Sequence, residues 1–396
     1  MPERLRPIRV KLSTTPGEAL PNAGEQLLLR AALLEGPQAC AAWADWRRAG
    51  GTIDSVDKAT FRLLPLLYRN LANSGLDDPD LPRLKGVYRH VWAANQQLVW
   101  RVGTALNALR REGIPTMLLK GAAVGLAHYR DLGARPMDDI DVLVPPHEAE
   151  RAIAVLGASG WTLLARIDRA RVLRSVHGTL LRQPDGALID LHWRALPESI
   201  GDEDFWSGSL AVTLGDAATQ VPGVTEQLLH SCVHGLRHGP ASLRWIADAE
   251  VIVRSAGAEI DWARLVDEAA ARSVVLRTAT ALAVLRGLLG SPVPDQVMAD
   301  LDALHKGSLE RIVHWLVLRP IHLDGYITAW DAYRRLADAR DDRSVSRDFL
   351  QFLADVQQLS SRREVGMHFS RNALAVARSS LRSKRFVRTA QRSLTV

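Results

Sequence analysis

The sequence predicts an α+β protein in which a small mixed sheet lies between two helical regions. Residues 25–112 and 216–340 carry apolar side chains at intervals of three and four, which is the spacing of amphipathic helices. Between them, in residues 113–215, short apolar runs bounded by Pro, Gly and Asp alternate with shorter helical patterns. Such runs are typical of strands in a buried sheet. The sheet is therefore predicted in this central segment.

The helical regions consist of separate amphipathic segments. Before the sheet, GEQLLLRAALLEG, QACAAWADWRRAG and TFRLLPLLYRNLAN precede a long helix predicted from about Leu84 to Arg111 with one continuous apolar face. After it, TEQLLHSCVHGLRHG and LRWIADAEVIVRSAG restore the helical period. We expect a flexible N-terminus over residues 1–24 and a helical, basic tail over residues 341–396.

Composition excludes several classes of protein. Of the 396 residues, 47% are hydrophobic and 24% are charged, which is enough for a large core. The two cysteines, Cys40 and Cys232, lie in apolar helical patterns, so neither a disulfide framework nor a Cys-rich zinc site is predicted. We find no secretory signal pattern and no apolar run long enough to span a membrane. The expectation is a cytoplasmic protein without a membrane span.

The net charge of +6 is unevenly distributed. Residues 361–396 contain nine Lys or Arg and one Glu, whereas residues 1–360 contain 41 basic and 43 acidic side chains. A solvated, partly helical end is the simpler interpretation of such a tail. The alternative is that its charge attracts an acidic protein, a nucleic acid or an anionic lipid.

Carboxylates in the central segment predict a metal site. One strand ends at Lys120, and the next strand carries Asp139 and Asp141. Alternate residues of a strand face the same side, so these two carboxylates project together. A later strand, ALIDLHW, adds Asp190. Like charges this close repel one another unless cations lie between them, and three such carboxylates can hold two Mg²⁺ ions for attack at phosphorus.

The Lys120-Gly121 junction predicts a phosphate site beside the carboxylates. A glycine lets the backbone approach a phosphate, and the N–H groups of a first helical turn point toward an anion. The charge of Lys120 suits a triphosphate. Taken alone, a Lys-Gly turn can be purely steric and an Asp-x-Asp pair can cap a loop. Their order within one module is more specific than either motif.

The stretch LLKGAAVGLAHYRDLGARPMDDIDVLVP, followed by ALIDLHW, resembles the nucleotidyltransferase superfamily of DNA polymerase beta-like folds. It is most similar to a large, poorly characterised bacterial family with the pattern K-G, R, D-x-D and D-x-H-W. Similar flanking helices extend the resemblance over roughly residues 25–290. Gly121-Ala122 stands where the superfamily usually has Gly-Gly or Gly-Ser, which affects the expected nucleotide geometry. The resemblance implies a nucleotidyltransferase core over residues 113–215.

The resemblance also implies residue roles. Asp139, Asp141 and Asp190 would be the catalytic residues and would ligate two Mg²⁺ or Mn²⁺ ions. The implied nucleotide-binding residues are Lys120, Gly121, Ala122, Arg135, His192 and His234. A surface salt bridge is the alternative for Arg135, and a half-buried structural role is the alternative for His192. Asp138 should point away from the carboxylate pair by strand alternation.

Three histidines, His230, His234 and His238, recur every four residues on one predicted helix. This spacing suits metal ligands, but the Glu of the zinc-protease motif is absent, so structural zinc is the minor alternative. We expect this helix to pack over the cleft, with one or two of the histidines lining it. Asp248 on the next helix is a weaker candidate for the same cleft.

The expected reaction transfers a nucleoside monophosphate from an NTP, with ATP the expected donor, and releases pyrophosphate. The acceptor would be a hydroxyl or phosphate of a small molecule, a peptide, a protein or a tRNA. Two alternatives remain open. One is kinase-like transfer of the γ-phosphoryl group, and the other is a non-catalytic nucleotide-binding protein, such as a toxin–antitoxin component.

Overall fold

The computed structural model describes most of the chain. The predicted N-terminus over residues 1–24, the tail over residues 341–396 and His238 lie wholly or largely outside the described residues. The described residues are 20–164, 177–197, 202–237, 243–318, 329–330, 333, 345–356, 359, 361–367 and 370.

Helices precede the sheet, as the periodicity predicts. Asn22 and Glu25 form a reciprocal capping box at the first of them, and Asp57 caps the third through the Thr60 N–H. The fifth is the predicted long helix, and its buried face packs against the sheet. In order these helices are α1 (Ala23–Leu33), α2 (Gly36–Arg48), α3 (Lys58–Phe61), α4 (Leu64–Asn73) and α5 (Leu81–Arg111).

The described strands form a seven-stranded mixed sheet, with the order β3-β4-β5-β2-β1-β7-β6. Strand β2 runs parallel to β5 and β1 runs parallel to β7, while the other neighbours are antiparallel. This mixed sheet between helical regions confirms the predicted α+β class. The strands are β1 (Met117–Leu118), β2 (Ile140–Leu143), β3 (Thr162–Leu163), β4 (Gly178–Arg182), β5 (Leu188–His192), β6 (Leu210–Leu214) and β7 (Ala217–Val221).

Strand β7 lies beyond residue 215, where the sequence predicts the end of the central segment. Strands β6 and β7 form a hairpin through Gly215 and Asp216. Gly215 has a φ of +63°, which a glycine adopts at little cost in a tight hairpin turn. Because most residues of β7 are small or polar, this strand does not form an apolar run in the sequence.

Short helices connect the strands. The first, α6 (Lys120–Val124), follows β1 directly and continues into a π-helical turn over Gly125–Tyr129. The others are α7 (Ala149–Ala158) and α8 (Glu203–Ser207). On one face of the sheet, Ile140 and Val142 of β2 pack with apolar residues of β5, α5 and α7. Asp141 and Leu143 of β2 face the other side, where Leu143 packs in a smaller apolar cluster with Met117 and Phe205.

The C-terminal helices pack back onto the N-terminal ones. A single apolar core includes residues of α1, α2, α4 and the helices that follow the sheet. None of the described helices combines the length and the hydrophobicity of a bilayer-crossing segment. The helices after the sheet are α9 (Val224–Arg237), α10 (Arg244–Ala256), α11 (Trp262–Ala271), α12 (Val275–Leu289), α13 (Asp295–Ala303), α14 (Ser308–Val317) and α15 (Val345–Val356).

Candidate active site

A cleft of about 680 Å³ brings together residues from all three parts of the fold. One wall comes from the α3 region, and another from Asp141 of β2 and Asp190 of β5 with the adjoining start of α6. The remaining wall comes from the facing ends of α9 and α10. Asp139, Asp141 and Asp190 line it, as do Lys120 and Gly121. The structure therefore places the three predicted carboxylates and the Lys-Gly junction at one cavity.

Three side chains on neighbouring strands form an acidic centre in this cleft. The parallel register of β2 and β5 pairs Asp141 with Asp190, and His192 lies two residues farther along β5 on the same face. The Nε2 atom of His192 is 3.1 Å from an Asp141 oxygen and 2.9 Å from an Asp190 oxygen. Among the described residues, these three make up the group whose potential metal-ligand atoms all lie within 4.8 Å of one another.

Lys120 reaches this acidic centre from the start of α6. Its ammonium group pairs with Asp141 and lies 3.7 Å from Asp190 Oδ2 and 3.4 Å from His192 Nε2. Lys120 has a φ of +45°, a left-handed conformation that is unfavourable for a residue with a β-carbon. Strain of this kind clusters at functional sites. The turn from β1 into α6 holds Lys120 in this conformation beside the carboxylates.

The charges of the acidic centre depend on one another. Burial alone would raise the pKa of Asp141, but the Lys120 ammonium and the His192 hydrogen bond hold this pKa well below its usual range. Burial opposes the charge of Lys120 as well, but Asp141 and Asp190 outweigh it and raise the Lys120 pKa. Burial and the Lys120 charge would lower the pKa of His192. The charge of Asp190 and the hydrogen bonds to both carboxylates outweigh them, so this pKa is raised. Asp141 therefore stays ionised at neutral pH.

Asp139 lines the same cleft but lies outside this group of ligand atoms. Burial raises its pKa, and the nearby charges of Asp141 and Asp190 raise it further, against the opposing charge of Lys120. Its ionised form is thus poorly compensated by the protein. The neighbouring Asp138 is exposed and pairs with Arg62. Both aspartates lie in a bend just before β2, so the strand alternation used in the sequence prediction does not apply to them.

The donor set of the acidic centre fits a divalent cation. Carboxylate oxygens are the ligands that Mg²⁺ and Mn²⁺ prefer, and an imidazole nitrogen suits Mn²⁺ better than Mg²⁺. The sequence predicts Asp139, Asp141 and Asp190 as the ligands. The structure brings Asp141 and Asp190 together with His192, which the sequence analysis places at the nucleotide. Asp139 supplies a further carboxylate at the same cleft.

The position of the Arg135 side chain explains why residue 121 is a glycine. A β-carbon on Gly121 would overlap the Arg135 guanidinium. That guanidinium donates two hydrogen bonds to the carboxylate of Asp248, at 2.9 and 2.7 Å. The surface salt bridge considered for Arg135 is wrong, because this ion pair is buried. The side chain of Ala122 packs in the apolar core, so it does not line the cleft.

We expect Gly121→Ala to lower the free energy of unfolding by about 1–3 kcal/mol, because the added methyl group must displace the Arg135 guanidinium from Asp248. Urea denaturation would measure the change. Gly125→Ala is the matched control, since a β-carbon at that helical position meets no atom within 4 Å. Equal stability changes in the two variants would contradict the steric role of Arg135.

Two of the three predicted histidines line the cleft. His230 and His234 on α9 stack with their ring centroids 5.5 Å apart. His230 Nε2 lies 3.0 Å from the carbonyl oxygen of Ala195, and burial, aided by the Lys120 charge, lowers the pKa of His230 to about 3. His230 is therefore neutral at physiological pH. Neither histidine belongs to a group of potential metal ligands among the described residues. Asp248 lines the cleft as well.

Three basic residues of the cleft were not predicted from the sequence. Lys58, Arg62 and Arg244 line the cleft and come from helices outside the central segment. One local signal was available. Lys58, Lys120 and Arg244 each occupy the first position of a helix, where a cation opposes the helix dipole. A basic residue at such a position points to a role other than helix stability.

Residues 59–290, more than half of the chain, match a family described as uncharacterised nucleotidyltransferase. No curated protein matches significantly. The solved antibiotic-resistance factor ANT(2'')-Ia is 16% identical, with 42% of this chain and 87% of that chain covered and a TM-score of 0.33. An antigenic nucleotidyltransferase-like protein from Paracoccidioides brasiliensis is 15% identical, with 53% and 94% covered and a TM-score of 0.33.

Proposed function

This chain belongs to the family of uncharacterised nucleotidyltransferases, and from that membership we propose that it transfers a nucleoside monophosphate from an NTP, with ATP the expected donor. The acceptor is a hydroxyl or phosphate group of a small molecule, a peptide, a protein or a tRNA, and pyrophosphate leaves. The observation that carries this proposal is the pairing of Asp141 and Asp190 on parallel strands, beside His192 in the cleft.

The acidic centre is the proposed metal site. Bound Mg²⁺ or Mn²⁺ would neutralise charge on the phosphates and lower the pKa of the attacking hydroxyl. Asp141, Asp190 and His192 would hold the first cation. Asp139 would complete a two-ion site together with Asp141 and Asp190. The poorly compensated charge of Asp139 supports this role, because a nearby cation would favour its ionised form.

Asp190 is the proposed proton acceptor for the attacking group. Its side chain is 27% exposed, whereas that of Asp141 is 8% exposed. The acceptor can therefore approach Asp190 more easily than Asp141. Burial raises the pKa of Asp190, but the charge of His192 and its hydrogen bond outweigh burial and keep this pKa below its usual value. The carboxylate is therefore ionised and able to accept a proton.

The remaining predicted residues are proposed to contact the nucleotide. Lys120 lies at the cleft surface beside both carboxylates, where its charge can neutralise phosphate oxygens. Gly121 and Ala122 can contribute backbone N–H groups from the first turn of α6, and His234 can contribute its ring from α9. Arg135 supports the Gly121 turn while it is held by Asp248.

Transfer of label from ATP is the direct test of this proposal. We expect the protein, incubated with Mg²⁺ or Mn²⁺ and a cell extract, to move label from the α-phosphate of ATP to an acceptor. Asp190→Asn should abolish that transfer. Movement of a γ-phosphate label would instead establish the kinase alternative, which uses the same kind of metal site. Binding of ATP without transfer of either label would favour a non-catalytic nucleotide-binding protein.

The basic residues of segment 361–396 are proposed to recruit an acidic or nucleic-acid partner. Their charge attracts such a partner at low salt, and this attraction weakens as salt screens it. We expect the protein to act in the cytoplasm. Deleting the segment should leave NTP binding unchanged, because every residue that lines the cleft precedes residue 361.

A further inference from the structure

Three arginines line the cleft that holds the acidic centre. Arg135 precedes β2, Arg62 follows α3 and Arg244 begins α10, so the three come from different parts of the fold. Arg135 forms a bidentate pair with Asp248, and Arg62 pairs with the exposed Asp138. Arg244 donates a hydrogen bond to the Pro136 carbonyl oxygen at 3.3 Å and forms no ion pair with a described carboxylate.

Arg244 is therefore a partly buried cation without a carboxylate in direct contact. Burial lowers its pKa to about 10, and the charges of Arg135 and Arg62 lower it further against the more distant charges of Asp248 and Asp139. The pKa of Arg62 is likewise lowered by burial first and by Arg135 second. Crowded guanidinium groups repel one another, and burying such a charge is costly unless an anion joins it.

We propose that Arg244 and Arg62 form a phosphate-binding subsite in this cleft, separate from the Lys120-Gly121 junction, and this assignment rests on the proposed function. The planar guanidinium donates paired hydrogen bonds that match the oxygens of a phosphate group. Only the Asp138 side of this pair is solvent-exposed, and water around that carboxylate weakens its attraction for the largely buried Arg62. A phosphate ligand can therefore replace Asp138 at Arg62 and supply the directly bound anion that Arg244 lacks.

The subsite has a consequence for the architecture. Arg62 belongs to the helices before the sheet and Arg244 to the helices after it, whereas the acidic centre belongs to the sheet. A substrate bound to both arginines and to the acidic centre contacts all three parts of the chain. The cleft volume of about 680 Å³ is within the range of sites that bind cofactor-sized ligands. Either the β- and γ-phosphates of the donor or a phosphate of the acceptor can supply the bound group.

Binding measurements on Arg244→Gln test the subsite. The probes are the non-hydrolysable α,β-methylene analogue of ATP and AMP, each with Mg²⁺, and inorganic phosphate added to protein saturated with the ATP analogue. Arg311→Gln is the control, since it removes the same charge from an exposed position on α14. Loss of charge-assisted hydrogen bonds should weaken binding about tenfold or more in Arg244→Gln and leave the control unchanged.

The probes separate the two sources of the phosphate. Weaker binding of the ATP analogue with unchanged binding of AMP assigns the subsite to the donor. Unchanged binding of the ATP analogue with weaker binding of inorganic phosphate assigns it to the acceptor. The proposal is overturned if Arg244→Gln binds every probe as tightly as the wild type does. It is also overturned if the wild type binds none of the probes.

Thermal unfolding separates this role from a structural one. Arg244 has no carboxylate partner to lose, so we expect Arg244→Gln to melt no lower than the wild-type protein. A lower melting temperature with unchanged ligand affinity would show a structural role. If Arg244→Gln does not fold, Arg62→Gln applies the same affinity test. Label transfer by the wild-type protein together with Arg244-independent binding would refute the subsite alone. Arg244-dependent binding without any transfer would refute the proposed function alone.

Discussion

Asp141→Asn is expected to abolish turnover and to destabilise the protein, whereas Asp139→Asn is expected to abolish turnover without a loss of stability. Asp141 is the buried partner of Lys120 and His192. Removing its charge leaves the Lys120 ammonium with Asp190 alone, at 3.7 Å. Breaking a buried ion pair of this kind costs about 3 kcal/mol. Asp139 has no such partner, and its ionised form is disfavoured by burial.

The two variants should also respond differently to pH. The pKa of Asp141 lies below its usual value in the folded protein, so its charge contributes stability above the unfolded pKa, and that stability is lost as pH falls through the folded pKa. The pKa of Asp139 is raised, so its ionisation costs stability as pH rises through and above the unfolded pKa. At pH 7 the wild type should be more stable than Asp141→Asn and no more stable than Asp139→Asn.

Urea denaturation and label transfer at pH 7 would measure both effects. Asp295→Asn is the control, because its side chain is 91% exposed and its ion pair with Arg286 lies outside the cleft. That control should change neither quantity appreciably. Near-normal turnover in either cleft variant would remove the carboxylate concerned from the proposed site. Full stability of Asp141→Asn would show that Lys120 does not depend on it.

The sequence alone treats Asp139 and Asp141 as equivalent. Strand alternation is a local property, and it predicts that both project toward one side. Both carboxylates line the cleft, although Asp139 lies just before the first residue of β2. The alternation predicts mutual repulsion for the pair and hence the same stability effect for either substitution. The structure distinguishes them because Lys120 and His192 reach Asp141. Those contacts depend on the order and register of β1, β2 and β5, which no local pattern encodes.

The same contrast between local sequence pattern and tertiary contacts applies to the rest of the molecule. The helical segments and the strands β2 and β5 follow from apolar periodicity, because each buries a face that its own sequence defines. The basic residues that line the cleft from these helical regions were not predictable in this way. Arg62 and Arg244 belong to helices whose apolar faces account for their folding, and only tertiary packing brings their polar ends to the cleft. Likewise, Arg135 and Asp248 are separated by 113 positions in the chain.

Asp248→Asn is expected to lower the free energy of unfolding by about 3–5 kcal/mol, because it leaves the buried Arg135 guanidinium without its carboxylate. Burial opposes the charge of Arg135, but Asp248 outweighs this and keeps its pKa above the usual value. Tyr129 also donates a hydrogen bond to Asp248, at 3.1 Å. The substitution therefore disturbs a buried network that joins α10 to the segment before β2.

Urea denaturation of Asp248→Asn, Arg135→Met and the double variant would test this dependence. Removing both charges should cost less than removing Asp248 alone, since the double variant leaves no unpaired guanidinium. Asp45→Asn is the control for an exposed ion pair, because Asp45 pairs with Arg48 at the surface, and it should cost less than about 1 kcal/mol. A similarly small loss in Asp248→Asn would contradict the proposed dependence.

Because the Arg135 guanidinium lies against Gly121, we also expect folded Asp248→Asn to bind ATP more weakly than the wild type.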